Sequence, residues 1–152
     1  MKYQDIITQI DNKVFQPVYF LMGEETFYID KVSDYISKNV LSEEEKEFNQ
    51  TTLYGKDIDV STIVSEAKQF PFGSTYRVVI VKEAQDIRSI DKLDSYLDNP
   101  SPSTILVICY KYKKVDKRKS FGKNLSKKAI LFEGKKLYDN QVPSWIKDFV
   151  KE

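Results

Sequence analysis

The stretch Thr104-Ile105-Leu106-Val107-Ile108-Cys109 decides the fold class of this chain, because apolar and β-branched residues follow one another in it without polar alternation. Two further runs have the same character, Pro17-Val18-Tyr19-Phe20-Leu21-Met22 and Arg77-Val78-Val79-Ile80-Val81. An unbroken apolar run is typical of a strand that is covered on both faces, as in a parallel sheet flanked by helices. The three runs therefore predict the central strands of an α/β sheet.

Helical patterns occupy the segments that follow and separate these runs. Apolar residues recur at three- and four-residue intervals in three stripes, and Asp57 or Asp59 is the expected cap of the second stripe. The stripes are formed by Ile29, Val32 and Ile36, then by Val60, Ile63, Val64 and Ala67, and then by Ile90, Leu93 and Leu97. The segments between the strands are therefore predicted to be helices.

Two weaker strands complete the predicted sheet. One is expected at Phe48 to Leu53, and the other at Ala129 to Phe132, after a lysine-rich helix from about Ser120 to Lys128. Strands that alternate with helices through right-handed crossovers form an open, doubly wound sheet, whose ligands usually bind at the carboxyl ends of the strands. The predicted fold is a five-stranded, parallel, doubly wound α/β sheet flanked by helices.

Composition argues against several classes of protein. The chain of 152 residues has one cysteine, Cys109, and no histidine. A disulfide framework, a thiolate metal site, a histidine-dependent hydrolase and a zinc enzyme are therefore not expected. Met1 to Asp11 is amphipathic and unlike a signal peptide, and no stretch approaches the length of a membrane span. We expect one globular domain in a reducing cytoplasm, without a membrane.

Charge is strongly segregated along the chain. Lys111 to Lys136 holds 11 basic and 2 acidic residues, a net charge of +9, whereas the whole chain has +1, so the remainder has −8. The run Tyr110 to Ser120 follows a predicted buried strand, contains two tyrosines, and suggests nucleic-acid binding. A solvated charged face is the alternative. The candidate DNA-binding residues are Lys113, Lys114, Lys117 and Arg118.

The first strand ends at Gly23, where a nucleoside triphosphatase of this topology would carry its phosphate loop. Aligning Gly23 with the first glycine of G-x-x-x-x-G-K-[ST] puts Tyr28 at the second glycine, Ile29 at the lysine and Asp30 at the magnesium-binding hydroxyl. Glu24 and Glu25 lie in the turn itself and would repel phosphate. We therefore expect no bound nucleotide, no metal and no other cofactor.

Two phenylalanines flank a proline between the second helix and the third strand, in Phe70-Pro71-Phe72-Gly73. Pro71 ends any helix there. The aromatic side chains have two interpretations: a plug that folds back on the core of its own domain, or exposed anchors for a partner protein on a rigid loop.

Four short motifs, taken in order, resemble the δ subunit of the bacterial clamp loader. The opening Pro17 to Glu25 is similar to its P-x-Y-hydrophobic-hydrophobic-x-G-x-[DE] pattern. Phe70 to Val81 resembles its aromatic loop followed by R-hydrophobic-V-hydrophobic-V. Val115 to Leu125 resembles its hydrophobic-D-K-R-K-x-x-K-x-L, and Trp145-Ile146 its W-I at the start of the next domain.

The resemblance implies an AAA+-like fold without a working phosphate loop. It implies that residues 1–138 are the first of three domains and that residues 139–152 begin a truncated helical lid, where Val142, Trp145, Ile146 and Phe149 have helical spacing. A δ subunit has no catalysis of its own and belongs to a DNA polymerase holoenzyme, a nucleotidyltransferase.

The resemblance also implies partners. A δ subunit binds the sliding clamp, favours its opening for loading onto primed DNA, and joins other loader subunits through C-terminal domains. The clamp-binding plug carries over to Phe72 first, with Phe70 and Pro71 beside it. Pro71 departs from the commoner Leu-Phe plug.

Two alternatives use the same sheet. The first is a nucleotide-processing enzyme in which Glu24, Glu25 and Asp30 bind Mg²⁺. The second is a plain DNA-binding domain using Lys111 to Lys128, which would show a steep salt dependence.

Overall fold

The computed structural model describes residues 1–135, and its core is a sheet of five parallel strands. The spatial order of the strands is β2-β3-β4-β1-β5, so β2 and β5 form the two edges. The strands are β1 (Val18–Gly23), β2 (Gln50–Tyr54), β3 (Arg77–Lys82), β4 (Thr104–Lys111) and β5 (Ile130–Gly134). The three apolar runs are the three central strands, which confirms the predicted fold class.

Six α-helices accompany the strands among the described residues. They are α1 (Tyr3–Asp11), α2 (Phe27–Asn39), α3 (Glu43–Asn49), α4 (Val60–Ala67), α5 (Asp94–Asp98) and α6 (Ser120–Lys128). Asp59, rather than Asp57, caps α4, because its carboxylate accepts a hydrogen bond from the Thr62 amide at 3.1 Å. The lysine-rich helix α6 has the predicted bounds.

The core lies on both faces of the sheet, as the unbroken apolar runs predict. Along β1, Tyr19 and Leu21 point to one face, and Val18, Phe20 and Met22 point to the other. Helices α1 and α2 cover the first face, and α4, α5 and α6 cover the second. Every residue of β1 is buried, so this strand contributes side chains to both halves of the core.

Three predicted elements have other bounds in the structure, of which the first is the strand expected at Ala129 to Phe132, observed as Ile130–Gly134. The strand expected from Phe48 begins at Gln50, because Phe48 and Asn49 form the last turn of α3, which a capping box between Ser42 and Glu45 starts. The predicted helix through Ile90–Leu97 is a 3₁₀ turn, Ile90–Leu93, followed by the five-residue α5. Its apolar stripe still faces the core.

The predicted lid segment, residues 139–152, and its helical pattern lie outside the described residues. No helix of the described part is long and apolar enough to cross a membrane.

Candidate functional site

The connection of residues 68–76 between α4 and β3 is here called the aromatic loop. It precedes a strand and therefore lies where the amino ends of the parallel strands meet, here called the amino edge of the sheet. Its two phenylalanines are exposed: Phe70 is 88% and Phe72 is 74% accessible to solvent. Pro71 between them is half-buried. Neither ring is folded back into the core, so the structure contradicts the interpretation of the loop as a plug for its own domain.

The sequence interpretation missed a third exposed aromatic side chain beside this loop. Phe48, at the end of α3, is 62% accessible, and its ring centroid lies 5.8 Å from that of Phe72 in a near-perpendicular arrangement. The signal that could have found it is the capping box Ser42-x-x-Glu45, which places the following residues on a helix that ends against β2. The aromatic surface therefore consists of Phe48, Phe70 and Phe72.

The backbone beneath the aromatic surface is held by buried polar side chains. The Phe72 amide donates to Asn49 Oδ1 at 2.6 Å, and Asn49 Nδ2 donates to the Phe72 carbonyl at 2.7 Å. The hydroxyl of Thr104 donates to the Ala67 carbonyl at 2.7 Å and so caps the end of α4. The loop is thus fixed at its start and at Phe72.

Arg77, the first residue of β3, is a buried cation that joins the neighbouring elements. Its Nε donates to the Glu66 carbonyl at 3.0 Å, and the guanidinium also donates to the carbonyl of Phe48 at 3.4 Å and to Thr51 Oγ1 at 3.2 Å. The Glu66 carboxylate completes a salt bridge with it. One side chain therefore connects the ends of α3 and α4 with β2 and β3.

The carboxyl ends of the strands meet at the other end of the sheet, here called the carboxyl edge. The basic loop, residues 112–119 between β4 and α6, lies there. Three of the four predicted DNA-binding residues have acidic partners: Lys117 lies 3.2 Å and Lys114 lies 3.7 Å from Glu133, and Arg118 forks onto Asp116 at 3.1 Å. Lys113 is exposed and has no ion pair within the described residues. The four cations do lie on one loop, but their charge is partly compensated locally.

The same compensation lowers the pKa of the Asp116 carboxyl. Hydrogen bonds from the side chain and the backbone amide of Arg118 hold the pKa of the Asp116 carboxyl at about 2, below its ordinary value. Asp116 therefore remains an anion at neutral pH next to the four cations. Surface ion pairs of this kind contribute little energy and can exchange for phosphate.

The turn of residues 24–26, between β1 and α2, occupies the position of a phosphate loop, and three amides in it or next to it donate within the chain. Gly23 donates to the Lys113 carbonyl at 2.9 Å, Glu25 donates to the Gly134 carbonyl at 3.1 Å, and the Phe27 amide donates to Glu25 Oε1 at 3.0 Å. These amides point at acceptors of the chain itself instead of outward. A phosphate at this position would have to compete with these acceptors for the three amides.

Asp30 is engaged as well, in the first turn of α2. Lys111 Nζ lies 2.7 Å from its carboxylate. Burial lowers the pKa of Lys111, but the hydrogen bond and charge of Asp30 outweigh that effect and raise it, so Lys111 is a cation at neutral pH. Within residues 1–135, the structure assembles no group of three or more carboxylate, cysteine or histidine side chains that could hold a metal ion. The magnesium-enzyme alternative has no support in this placement.

A family model described as "DNA polymerase III, delta subunit" matches residues 19–135. The chain belongs to this family. The curated DNA polymerase III subunit delta of Bacillus subtilis (strain 168) is 29% identical over 143 residues, which cover 88% of this chain and 41% of that protein. The resemblance seen in the four sequence motifs is thereby confirmed.

Two solved structures are similar to this chain. The structure of the Bacillus subtilis DNA clamp loader delta protein is similar with a TM-score of 0.85 and 28% identity, over 99% of this chain and 47% of that one. A gamma subunit-related protein of DNA polymerase III from Thermotoga maritima has a TM-score of 0.58 at 14% identity, over 97% of this chain and 50% of that one, and shares the fold. The chain spans about half the length of the relatives it matches.

Proposed function

We propose that this delta-family chain binds a sliding clamp through Phe70, Pro71 and Phe72, and that binding favours the opened clamp for loading onto primed DNA. The observation that carries the proposal is the exposure of both phenylalanines on a loop whose backbone is fixed at Phe72. Large apolar side chains on rigid, partly pre-organised loops are what binding hot spots consist of. The name of the Bacillus subtilis relative, a DNA clamp loader delta protein, points to the same partner.

The energetics agree with an anchoring role. Burying a phenylalanine that was exposed yields about 1.5 to 3 kcal/mol, so two such rings yield about 3 to 6 kcal/mol, compared with about 8 kcal/mol for a micromolar complex. Phe48 extends the apolar area beside Phe72. Because no histidine and few charged groups lie on the aromatic loop, its binding should depend weakly on salt.

Opening of the clamp is a matter of differential binding. The aromatic loop can shift a closed ring towards an opened one only by as much as it prefers the opened form. The chain itself needs no catalytic group for this task. We infer that it acts without catalysis, in the cytoplasm, as one component of the polymerase holoenzyme, and that ATP-hydrolysing partner subunits control when the loop is accessible.

The deciding experiment is a calorimetric titration of this chain with the purified sliding clamp of the same organism. We expect saturable binding with a negative heat-capacity change, because apolar area becomes buried. A Phe70→Ala, Phe72→Ala double variant is the control and should not bind measurably at the same concentrations. Equal heats for the chain and the double variant would contradict the proposal.

A second candidate function, duplex DNA binding, rests on the basic loop. Tyr112 and Lys113 are exposed there, and the other cations of the loop lie with them at the carboxyl ends of the strands. This function is compatible with clamp binding, since the aromatic loop lies at the opposite edge. Fluorescence anisotropy with a labelled duplex at several salt concentrations tests it, and binding without salt dependence would contradict it.

A further inference from the structure

Asn49 is the buried polar residue under the aromatic surface. Only 1% of its surface is accessible, and its side-chain amide lies between the end of α3 and the aromatic loop. The Nδ2 group uses both of its hydrogens, one to the Phe72 carbonyl at 2.7 Å and one to the Glu45 carbonyl at 2.9 Å. Oδ1 accepts from the Phe72 amide at 2.6 Å. These three partners determine the orientation of the amide.

The two contacts with Phe72 imitate a backbone pair of a sheet. A single side chain satisfies both the amide and the carbonyl of a residue whose ring is exposed, 23 positions further along the chain. Burying the Asn49 amide without these partners would be unfavourable, so the hydrogen bonds to Phe72 satisfy the side chain of Asn49 as well as the backbone of Phe72.

The residue directly after Phe72 adds little restraint of its own. Gly73 has φ of +66°, and a side chain at that position would meet no atom within 4 Å, so the next restraint on the loop is Ser74, whose hydroxyl hydrogen-bonds the Tyr76 backbone and the Glu45 carboxylate. Glycine there allows many backbone conformations in which the Phe72 ring would point elsewhere. The hydrogen bonds of Asn49 select one of them.

We propose that Asn49 is a positioning residue for clamp binding, which holds the Phe72 backbone so that its ring stands beside Phe48 on the aromatic surface. This inference rests on the proposed function of the aromatic loop. Asn49 is buried and would not touch the clamp itself. Its effect is on the fraction of molecules whose loop is ready to bind.

Pre-organisation has a kinetic signature that separates Asn49 from the rings. If only a fraction of the loops is competent, the apparent association rate falls by that fraction, whereas the contacts in the complex, and with them the dissociation rate, stay the same. Removing a contact ring has the opposite result, because it speeds dissociation.

The test uses Asn49→Asp and Asn49→Ala, measured against immobilised sliding clamp by surface plasmon resonance. Asn49→Asp keeps an acceptor for the Phe72 amide but puts an oxygen opposite the carbonyls of Phe72 and Glu45. Both variants should associate about tenfold more slowly and dissociate within about twofold of the unmodified chain. Phe72→Ala should mainly dissociate faster.

Asn124→Ala is the matched control. The Asn124 side chain also donates two hydrogen bonds, to Asp94 at 2.7 Å and to Asp98 at 3.2 Å, but it joins α6 to α5 and does not contact the aromatic loop. Its association rate should equal that of the unmodified chain. Denaturant midpoints of all variants show that folded protein is being compared.

A second measurement needs no clamp. In the free chain, hydrogen exchange followed by NMR should be about tenfold or more faster at the Phe72 amide of Asn49→Ala, and unchanged at amides of β4. An unchanged association rate in folded Asn49 variants, or an unchanged exchange rate at the Phe72 amide, would overturn the inference about Asn49. The proposed function would still be tested separately by Phe72→Ala. Absence of binding by the unmodified chain would overturn the proposed function together with this inference.

Discussion

The aromatic loop and the basic loop each connect a helix with a strand, yet opposite kinds of groups hold them. At the amino edge, buried polar side chains such as Asn49 and Arg77 hold the backbone, and apolar rings face the solvent. At the carboxyl edge, the amides of Gly23, Glu25 and Phe27 and several cations of the basic loop are bonded within the chain. The first arrangement leaves binding groups free, and the second satisfies them internally.

The difference separates two requirements of a binding domain. Exposed rings contribute favourable free energy only when a partner covers them. The polar side chains beneath them must therefore hold the loop backbone in the free protein. Charges that are paired on the surface are exchangeable, because each pair contributes at most about 1 kcal/mol. Substitutions at the amino edge should therefore have larger effects on stability and on protein binding than substitutions at the carboxyl edge.

The largest effect is expected for Arg77→Met, which removes a buried guanidinium and takes one donor from the Glu66 carboxylate and from the carbonyls of Glu66 and Phe48. Breaking a fully buried pair from one side costs about 3 to 5 kcal/mol, and because Glu66 is only half-buried we expect a loss of about 3 kcal/mol here. Urea denaturation measures the loss of unfolding free energy. The control Arg88→Met changes an exposed arginine with no ion pair in the described structure and should stay within about 0.5 kcal/mol. A loss below about 1 kcal/mol for Arg77→Met would contradict the role of Arg77.

The next effect is on clamp affinity and concerns Phe72→Ala, with Phe70→Ala as its companion. Each should weaken clamp binding by about 2 kcal/mol or more, about thirtyfold, because it removes an anchor from a desolvated pocket. The free energy of unfolding should change by less than about 1 kcal/mol, since both rings are exposed.

A core phenylalanine gives the matched control for these rings. Phe121→Ala truncates a buried ring that packs against Phe20 and should cost about 3 to 5 kcal/mol of stability. The clamp affinity of the folded Phe121→Ala protein should not change. Unaltered clamp affinity in Phe72→Ala would refute the anchoring role.

The sequence predicts the central part of the fold well and the aromatic surface only in part. Strands β1, β3 and β4 are evident because both faces of them are buried, and α6 because its charged and apolar positions alternate helically. Edge strand β2 was placed two residues too early, because its residues are only half-buried and the preceding Phe48 has strand propensity. The backbone of Phe72 is held by two hydrogen bonds with Asn49, a contact 23 positions away that no local pattern contains.

A smaller effect is expected at the basic loop. Changing Lys113, Lys114, Lys117 and Arg118 to alanine should weaken duplex binding and flatten its salt dependence by roughly one unit of slope per lost phosphate contact. Clamp affinity should hardly change, because this loop lies at the other edge of the sheet.

Glu133→Gln is the converse variant for the basic loop. It removes the acidic partner of Lys114 and Lys117 and should strengthen duplex binding. Anisotropy titrations over a series of salt concentrations measure both variants. Loss of clamp affinity in a folded alanine variant would instead assign the basic loop to the protein interface.

The smallest effect, none, is expected from ATP with or without Mg²⁺. A ligand present at 100-fold its Kd stabilises a protein by about 2.7 kcal/mol, which thermal denaturation detects in a domain of this size. Here Ile29 replaces the phosphate-loop lysine, Glu24 and Glu25 add negative charge, and Asp30 is paired with Lys111.

Space at the β1–α2 turn is also limited. The Gly134 carbonyl oxygen lies 2.2 Å from the position that a Cβ on Gly23 would occupy, so β5 closes against the turn where a phosphate would have to approach the backbone. The amides of Gly23 and Glu25 already donate to carbonyls of the chain, and binding phosphate would break those bonds. Scanning fluorimetry with millimolar ATP, ADP and Mg²⁺ should therefore give one unchanged Tm. An increase in Tm that grows with ATP concentration would show that the turn still opens to phosphate. It would contradict the view that the groups at the carboxyl edge are satisfied within the chain.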